Sequence, residues 1–390
     1  MTAPASTTPG RGVHGPLQGV RVLELGGVGP APYAGMLLGD LGAEVVRVDR
    51  PSDAGSPSAH PVLHRNRRSI TVDLKHREAA EVVGRLVDDV DVLVEGFRPG
   101  VAERLGLGPD DLLPRNPRLV YGRMTGWGQY GPKAHEPGHD INFIALSGAL
   151  HAVGTADRPV VPLNLVGDMG GGGMLLAFGV LGALVSARAT GRGQVVDAAM
   201  TDGTASLLSM VYGFRAAGSW QDERAANGID GAAPWYTVYR CADGGHLALG
   251  CGEPHFYARM LGVLGLGDDP DFAGQYDRES WPTMHKRLAD VFATRTRDEW
   301  ASAFEGRDAC VTPVLSLAEA PTHPHHVARG TFRTGAHGGV EPAPAPRFGG
   351  TPAPEPAPAP AVGTHTDAAL TRAGYDADRI AGLRARGVIG

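Results

Sequence analysis

Residues 20–48, VRVLELGGVGPAPYAGMLLGDLGAEVVRV, decide the fold class of this chain. Strand patterns at 20–25 and 43–48 enclose a turn rich in glycine and proline and a helical pattern at 33–41. The alternation continues with a helical pattern at 74–90 and short apolar strands at 92–94 and 119–121. Strands that alternate with helices predict an α/β domain whose mainly parallel sheet is covered on both faces.

A different pattern follows residue 200. Strand patterns at 235–240 and 246–249 flank Asp243-Gly244, a strong hairpin signal, and helical patterns follow at 254–264 and 284–292. We therefore predict a small α+β domain. The stretch 341–361, rich in proline and alanine, is predicted to be extended, and a last helix is predicted at 376–386. The predicted organisation is a large domain beginning at 15–200, a linker helix at 201–230, the small domain at 231–305, a return linker at 306–330, and 331–390 completing the large domain.

Composition narrows the function classes. The chain has 390 residues, more than one hydrophobic core usually supports, with the 42% hydrophobic and 20% charged residues of a folded soluble protein. A net charge of -6 argues against a nucleic-acid-binding protein. Three scattered cysteines suit neither a disulfide framework nor a zinc site, so we predict reduced thiols, a cytoplasmic location and no metal.

Two segments bear on membranes and secretion. Residues 1–9 lack the apolar central region of a secretory signal. The longest apolar run, 174–187, is shorter than a typical membrane span and is predicted to be a buried helix. We also interpret His323-Pro324-His325-His326 as part of a loop or linker and not as a metal site.

The first turn imitates a dinucleotide-binding motif. Gly27-Val28-Gly29 follows the first strand, and Asp49 closes the second strand where such motifs place a ribose-binding carboxylate. However, Pro32 occupies the third glycine position, and Pro30 lacks the amide that would donate to a phosphate. We therefore favour an α/β turn that binds no nicotinamide.

The densest positive patch is His64-Arg65-Asn66-Arg67-Arg68. Charged runs of this kind are commonly solvated surface. Arg50 and Arg98, however, fall at the carboxyl ends of predicted strands, where open α/β sheets bind ligands. Together with Lys75, these side chains are candidates for holding phosphates by charge-assisted hydrogen bonds.

Two segments carry candidate catalytic residues: 138–143, GHDINF, and 164–173, NLVGDMGGGG. Four glycines before an apolar helix indicate either a backbone that approaches a ligand, with amides able to hold an oxyanion, or a tight packing turn. Asp168 alone would be a helix cap, and His139 alone a structural histidine. Placed together, they would remove a proton beside a carbonyl and return one to the opposite face.

Ordered motifs along the chain resemble the class III CoA-transferase superfamily. The resemblance runs from about Leu17 to the C-terminus. The motifs are LGAEVVRV (41–48), NRR (66–68), DLK (73–75), EGFRPG (95–100), TGWGQ (125–129), GQVVDAAMTDG (193–203) and the terminal segment 374–388. The resemblance implies a large Rossmann-like parallel-sheet domain, a small α+β domain and an interlocked dimer.

Within this superfamily, GHDIN (138–142) is similar to the α-methylacyl-CoA racemases, whereas transferases generally carry an aromatic residue at the His139 position. The resemblance implies that His139 and Asp168 carry protons. It implies that Glu253 orients His139, across the subunit boundary, and that Asn164 shapes the site. The transferase alternative, in which Asp168 is a nucleophile forming acyl anhydrides, remains open.

The resemblance also implies the ligand. The substrate would be an acyl-CoA thioester, with no further cofactor, no nucleic acid and no membrane as partner. The predicted coenzyme A contacts are Arg50, Arg67, Leu74, Lys75 and Arg98. The first sixteen residues and the stretch 341–361 depart from the family pattern and have no assigned role.

Overall fold

The computed structural model describes residues 14–390, so the segment 1–9, in which we predict no secretory signal, lies outside the described residues. The strands, in chain order, are β1 (Arg21–Leu25), β2 (Glu44–Asp49), β3 (Arg67–Thr71), β4 (Val92–Glu95), β5 (Val120–Thr125), β6 (Val195–Ala199), β7 (Val238–Arg240), β8 (His246–Leu249), β9 (Val311–Pro313), β10 (Phe332–Thr334) and β11 (Val340–Pro342).

The helices, in chain order, are α1 (Pro30–Asp40), α2 (Ala79–Val87), α3 (Val101–Arg104), α4 (Pro109–Leu112), α5 (Asp140–Leu146), α6 (Ala149–Ala152), α7 (Leu175–Thr190), α8 (Met200–Leu207), α9 (Ser209–Ala216), α10 (Pro254–Leu264), α11 (Trp281–Phe292), α12 (Arg297–Phe304), α13 (Pro324–Arg329), α14 (Thr366–Arg372) and α15 (Ala377–Ala385). A π-helix, Leu165–Met174, leads directly into α7.

The described residues form two compact units, and the first contains residues 14–144, 164–207 and 330–390. Its sheet has six parallel strands in the order β3-β2-β1-β4-β5-β6, which confirms the predicted fold class. The strand order reverses between β1 and β4. Ligands of open α/β sheets bind beyond the carboxyl ends of the strands at such a switch point.

Apolar helices cover both faces of this sheet. One buried cluster joins α1 and α7 to the strands through side chains such as Leu38 and Val180. A second cluster joins α2, α14 and α15 to the other face through side chains such as Val83, Leu370 and Leu383. The C-terminal helix predicted at 376–386 therefore belongs to the first unit, where Asp376 caps α15 by accepting from the amide of Arg379.

The second unit contains residues 145–163 and 208–329. Its antiparallel sheet has the order β7-β8-β9, and the hairpin predicted at Asp243-Gly244 joins β7 to β8, with Gly244 at φ 83°. An aromatic core that includes Trp235, Trp281 and Phe292 packs α10–α12 against this sheet. The histidines that we placed in a loop or linker lie partly on α13, so that interpretation is wrong for His325 and His326.

The division of the chain does not follow the predicted boundaries throughout. Residues 201–230, which we assigned to a linker helix, are divided between the first unit (201–207) and the second (208–230). Residues 145–163, which we assigned to the large domain, are part of the second unit, and so are residues 306–329, which we assigned to a return linker. Five strands were also missed: β3, β6, β9, β10 and β11. In the six-stranded sheet, β3 begins within the basic patch and β6 has exposed positions, and both are edge strands, so neither shows a continuous apolar pattern.

The apolar run 174–187 is not the buried helix that we predicted. Phe178 is 73% exposed and Val185 is 70% exposed, although Leu176, Val180 and Leu184 of the same helix are buried against the sheet. Counted with the π-helix, the segment Leu165–Thr190 is long and apolar enough, by length and composition alone, to cross a membrane. The absence of a membrane partner therefore stays a prediction.

Candidate active site

Asp168 lies at the sheet's switch point. The turn after β1 ends at Gly29, where α1 begins, and this turn contacts the π-helix that carries Asp168. A Cβ added to Gly29 would lie 3.3 Å from Asp168 Oδ2, and Gly29 has φ 65°, so glycine suits this position on both counts. The Asp168 side chain is half-buried, and its Oδ2 accepts a hydrogen bond from Asn164 Nδ2 at 3.3 Å.

His139 immediately precedes α5 and is exposed. Its carbonyl oxygen accepts from the amides of Asn142 and Phe143, and its own amide donates to Asn142 Oδ1 at 3.0 Å. These bonds attach the residue to the first turn of the helix. The GHDIN motif therefore holds the backbone of His139 while its imidazole stays open to solvent.

Asp140 connects the two candidate proton carriers, and sequence reasoning missed it. It follows His139 in the chain, it is 7% exposed, and its Oδ2 accepts from the Asp168 amide at 2.7 Å. The sequence shows only an aspartate beside His139, and its burial at the start of α5 is visible only in the structure. Its partner, 28 residues away, could not be identified from the motif.

The surroundings of Asp168 favour its protonated form. Burial raises the pKa of the Asp168 carboxyl, the hydrogen bond from Asn164 lowers it, the nearby Asp140 raises it and His139 lowers it, with a net increase. A carboxyl whose pKa moves toward neutral pH can both release and accept a proton during turnover.

We expect Asp168→Asn to raise the Tm, and to raise it more at pH 8 than at pH 4. Because the folded-state pKa of Asp168 is raised, its ionised form opposes folding at high pH, and this cost disappears as the pH falls through that pKa. Asparagine removes the charge and keeps an oxygen that accepts from Asn164. Thermal unfolding of Asp168→Asn and of the exposed control Asp378→Asn between pH 4 and pH 8 tests the expectation. An increase in the Tm of Asp168→Asn that is the same at every pH would contradict it.

The four glycines do not form the amide-lined hollow that we considered. Residues 170–173 lie inside the π-helix, where backbone amides are committed to helical hydrogen bonds. A Cβ on Gly173 would lie 2.5 Å from Pro30 O, and one on Gly171 would lie 2.7 Å from the Thr204 amide. The glycines therefore let the π-helix pack closely on α1 and α8, which is the packing alternative.

Arg67 is part of a buried ion cluster. Its guanidinium donates to Glu24 Oε2, at 2.9 Å from Nη2, and to the carbonyl oxygens of Leu63, Arg65 and Pro32. All three guanidinium nitrogens thus have protein acceptors. A contact between Arg67 and coenzyme A stays a prediction, but a phosphate would have to displace one of these acceptors.

The remaining predicted coenzyme A residues lie at one edge of the sheet. Arg50 directly follows β2, Leu74 and Lys75 follow β3, and Arg98 follows β4. The three basic side chains are exposed, and Leu74 is partly buried. Because the strands are parallel, their carboxyl ends share the edge at which Asp168 is found.

Glu253 lies in the second unit. It is the residue before α10, its side chain is exposed, and it does not cap the helix through a side-chain hydrogen bond. The raised pKa of the Cys310 thiol, caused first by burial and then by Glu253 and Asp308, places this carboxylate near Cys310. Its predicted role toward His139 stays a prediction.

The sequence model of CoA-transferase family III matches residues 17–366. The chain belongs to this family. The family predicted from the ordered motifs is confirmed.

Relatives within family III carry different activities. The human α-methylacyl-CoA racemase is 44% identical over 375 residues, covering 96% of this chain and 97% of the human protein. The succinyl-CoA–D-citramalate CoA-transferase of Chloroflexus aurantiacus is 32% identical over 402 residues, covering 96% of this chain and 98% of that enzyme. A CaiB/BaiF family protein from Brucella suis shares the fold, with a TM-score of 0.79 over 92% of this chain at 24% identity.

Proposed function

We propose that this enzyme interconverts the (2R) and (2S) forms of 2-methylacyl-CoA thioesters by α-proton removal and return. The observation that carries the proposal is the pairing of His139 with Asp168 through Asp140 in one unit. The 44% identity to the human racemase supports the same reaction. Two different proton carriers meet the chemical requirement of inversion, because a proton leaves one face of the α-carbon and another returns to the opposite face.

In the proposed mechanism, His139 removes the α-proton of one epimer and Asp168 protonates the other face. The roles exchange for the opposite epimer. The raised pKa of Asp168 supports its use as an acid, and the hydrogen bond from Asn164 supports its ionised form when it serves as a base.

The enolate-like state needs hydrogen-bond donors at the thioester oxygen. In this structure the glycines at 170–173 are inside a helix, so we assign this role to the first-turn amides of the π-helix, at Leu165–Gly167. Amides at the start of a helix have no intrahelical acceptor and lie at the positive end of its dipole. Such donors stabilise negative charge that develops during the reaction.

We propose that the phosphates of coenzyme A bind Arg50, Lys75 and Arg98. These side chains are exposed and follow three strands that end at the same edge of the sheet. Arg67 would contribute indirectly, because its bond to Pro32 O holds the turn at the start of α1. No further cofactor is required, since proton transfer between side chains and the α-carbon balances without a redox or carrier group.

The decisive experiment uses a single-epimer 2-methylacyl-CoA in deuterated water without an acceptor acid. We expect deuterium to enter the α-position and stereochemical purity to fall with time, both followed by NMR. Heat-denatured enzyme measures the spontaneous rate. An α-proton that remains inert for as long as in the denatured control would overturn the racemase proposal.

The competing function is CoA transfer with Asp168 as nucleophile. The family also contains transferases, and a half-buried aspartate in the first turn of a helix suits that chemistry as well. An aspartyl anhydride would be trapped by hydroxylamine in the presence of acyl-CoA. Inactivation that depends on acyl-CoA, together with an inert α-proton, would therefore favour the transferase.

We propose that the enzyme is a cytoplasmic homodimer of interlocked chains. Large apolar side chains are exposed within each unit, including Phe178 and Val185 on α7 and Met210 and Tyr212 on α9. Exposed apolar patches of this kind mark interaction surfaces. Light scattering should give twice the chain mass, and a fully active monomer would exclude this assembly.

A further inference from the structure

The surroundings of Asp140 indicate that its carboxylate has a functional role. It is 7% exposed, and its Oδ2 accepts from the Asp168 amide at 2.7 Å. Its other oxygen, Oδ1, is buried and has no hydrogen-bond partner within residues 14–390. A buried acceptor without a partner is unfavourable, so packing and solvation alone do not account for a carboxylate at this position.

The neighbouring chain is shaped around this carboxylate. A Cβ on Gly167 would lie 2.5 Å from Asp140 Oδ2 and 2.9 Å from its Cγ, closer than real Cβ contacts come. Glycine at 167 therefore permits the carboxylate to reach the backbone of the next residue, Asp168. The contact depends on both residues, because any side chain at 167 would push Asp140 away.

We propose that Asp140 is a positioning residue that fixes the backbone of Asp168 relative to His139 and keeps a negative charge against the Asp168 carboxyl. This inference rests on the proposed racemase function. It assigns Asp140 no contact with substrate. Its covalent link to His139 and its hydrogen bond to Asp168 make it the shortest connection between the two proton carriers.

The charges that face Asp168 are few. His139 and Asp140 face it from α5 and the residue before that helix, and Asn164 from the start of its own helix. From α1 the neighbour is Gly29, which carries no charge. The Asp140 contribution raises the pKa of Asp168, so removal of that charge alone should move the titration of Asp168 to lower pH.

Two substitutions at Asp140 separate the effect of its hydrogen bond to the Asp168 amide from the effect of its negative charge. Asp140→Asn keeps an oxygen that can accept from the Asp168 amide and removes the charge. Asp140→Ala removes both. Asp378→Asn, an exposed acidic residue in the first turn of α15, is the matched control for the loss of one charge.

The measurement is the rate of α-deuterium exchange in the full chain as a function of pH. For Asp140→Asn we expect kcat within about threefold of wild type and the pH limb of Asp168 displaced downward. For Asp140→Ala we expect kcat to fall about 10²-fold with an unchanged KM, because a small misplacement of a catalytic group has effects of that size. The control should match wild type in every respect.

The possible results distinguish a failure of the proposed role of Asp140 from a failure of the proposed racemase function. Wild-type exchange with no change in kcat or pH profile for either Asp140 variant overturns this inference and leaves the racemase intact. An equal loss of kcat in both variants with no displaced limb shows a merely structural role and also overturns it. If Asp140→Ala does not fold, the pH limb of Asp140→Asn decides alone. Absence of exchange in wild type refutes the racemase function, and this inference with it.

Discussion

Replacement of either proton carrier is expected to stop racemisation while one epimer still exchanges its α-proton with solvent. His139→Ala and Asp168→Asn should each lower the rate of epimer interconversion by about 10²–10⁴-fold, the usual contribution of a positioned acid or base. The remaining carrier still faces one side of the α-carbon. It can remove the proton from the epimer that presents it, exchange that proton with solvent and return deuterium to the same face.

The two variants should therefore have opposite stereochemical preferences in α-proton exchange. Each should label only one pure epimer of 2-methylacyl-CoA, and the two should label opposite epimers without loss of configuration. Affinity for free CoA should stay close to that of wild type, because neither residue is among the proposed phosphate contacts. His135→Ala, an exposed histidine on the preceding loop, is the control and should racemise normally. Loss of CoA affinity in His139→Ala would show a structural role, and labelling of the same epimer by both variants would exclude the two-carrier mechanism.

Glu24→Ala is expected to lower the free energy of unfolding by about 3–5 kcal/mol, since it leaves two buried arginines without their shared carboxylate. Glu24 is fully buried and pairs with Arg67 at 2.9 Å and with Arg47. The same arginines donate to Gly27 O, in the turn that touches Asp168, and to Pro32 O, in the first turn of α1. The substitution should therefore disturb catalysis as well as stability.

Urea denaturation followed by circular dichroism measures this change. Glu81→Ala, which breaks exposed ion pairs with Arg85 and Arg115, should leave the unfolding midpoint nearly unchanged. A similarly small effect for Glu24→Ala would contradict this expectation and show that Arg47 and Arg67 do not depend on Glu24 for their stability in the fold. Gly35 supports the larger effect, because a Cβ there would lie 2.3 Å from Glu24 Oε2 and α1 is thus fitted directly over the ion pair.

The sheet and its close-packed glycines are the shared scaffold of a family with several activities. The glycines at 171–173 serve helix contacts, and the Glu24 cluster holds the β1–α1 turn, so neither selects a reaction. We propose that residues near Asp168 distinguish proton transfer from acyl transfer. His139 is the first candidate, since a proton carrier at that position would be useful to a racemase and unnecessary to a transferase.

The sequence by itself determined the alternation of strands and helices in the first part of the chain, the hairpin at Asp243-Gly244, the family and the candidate residues His139 and Asp168. These features depend on local periodicity, on turn residues and on short motifs, all of which can be read within a few neighbouring positions. The edge strands β3 and β6 were not predicted, because their exposed or charged positions interrupt that periodicity.

Only the tertiary structure decided what the charged and small residues do. Arg67 belongs to the basic patch by sequence, yet its partner Glu24 is 43 positions away and buries it in the sheet. The four glycines suit a ligand loop equally well by sequence, and only the nearness of Pro30 and Thr204 shows that they pack helices. Asp140 carries no signal of its own until its carboxylate is seen at the Asp168 amide. Pairing energies depend on distance in space, and the spacing of residues along the chain does not report that distance.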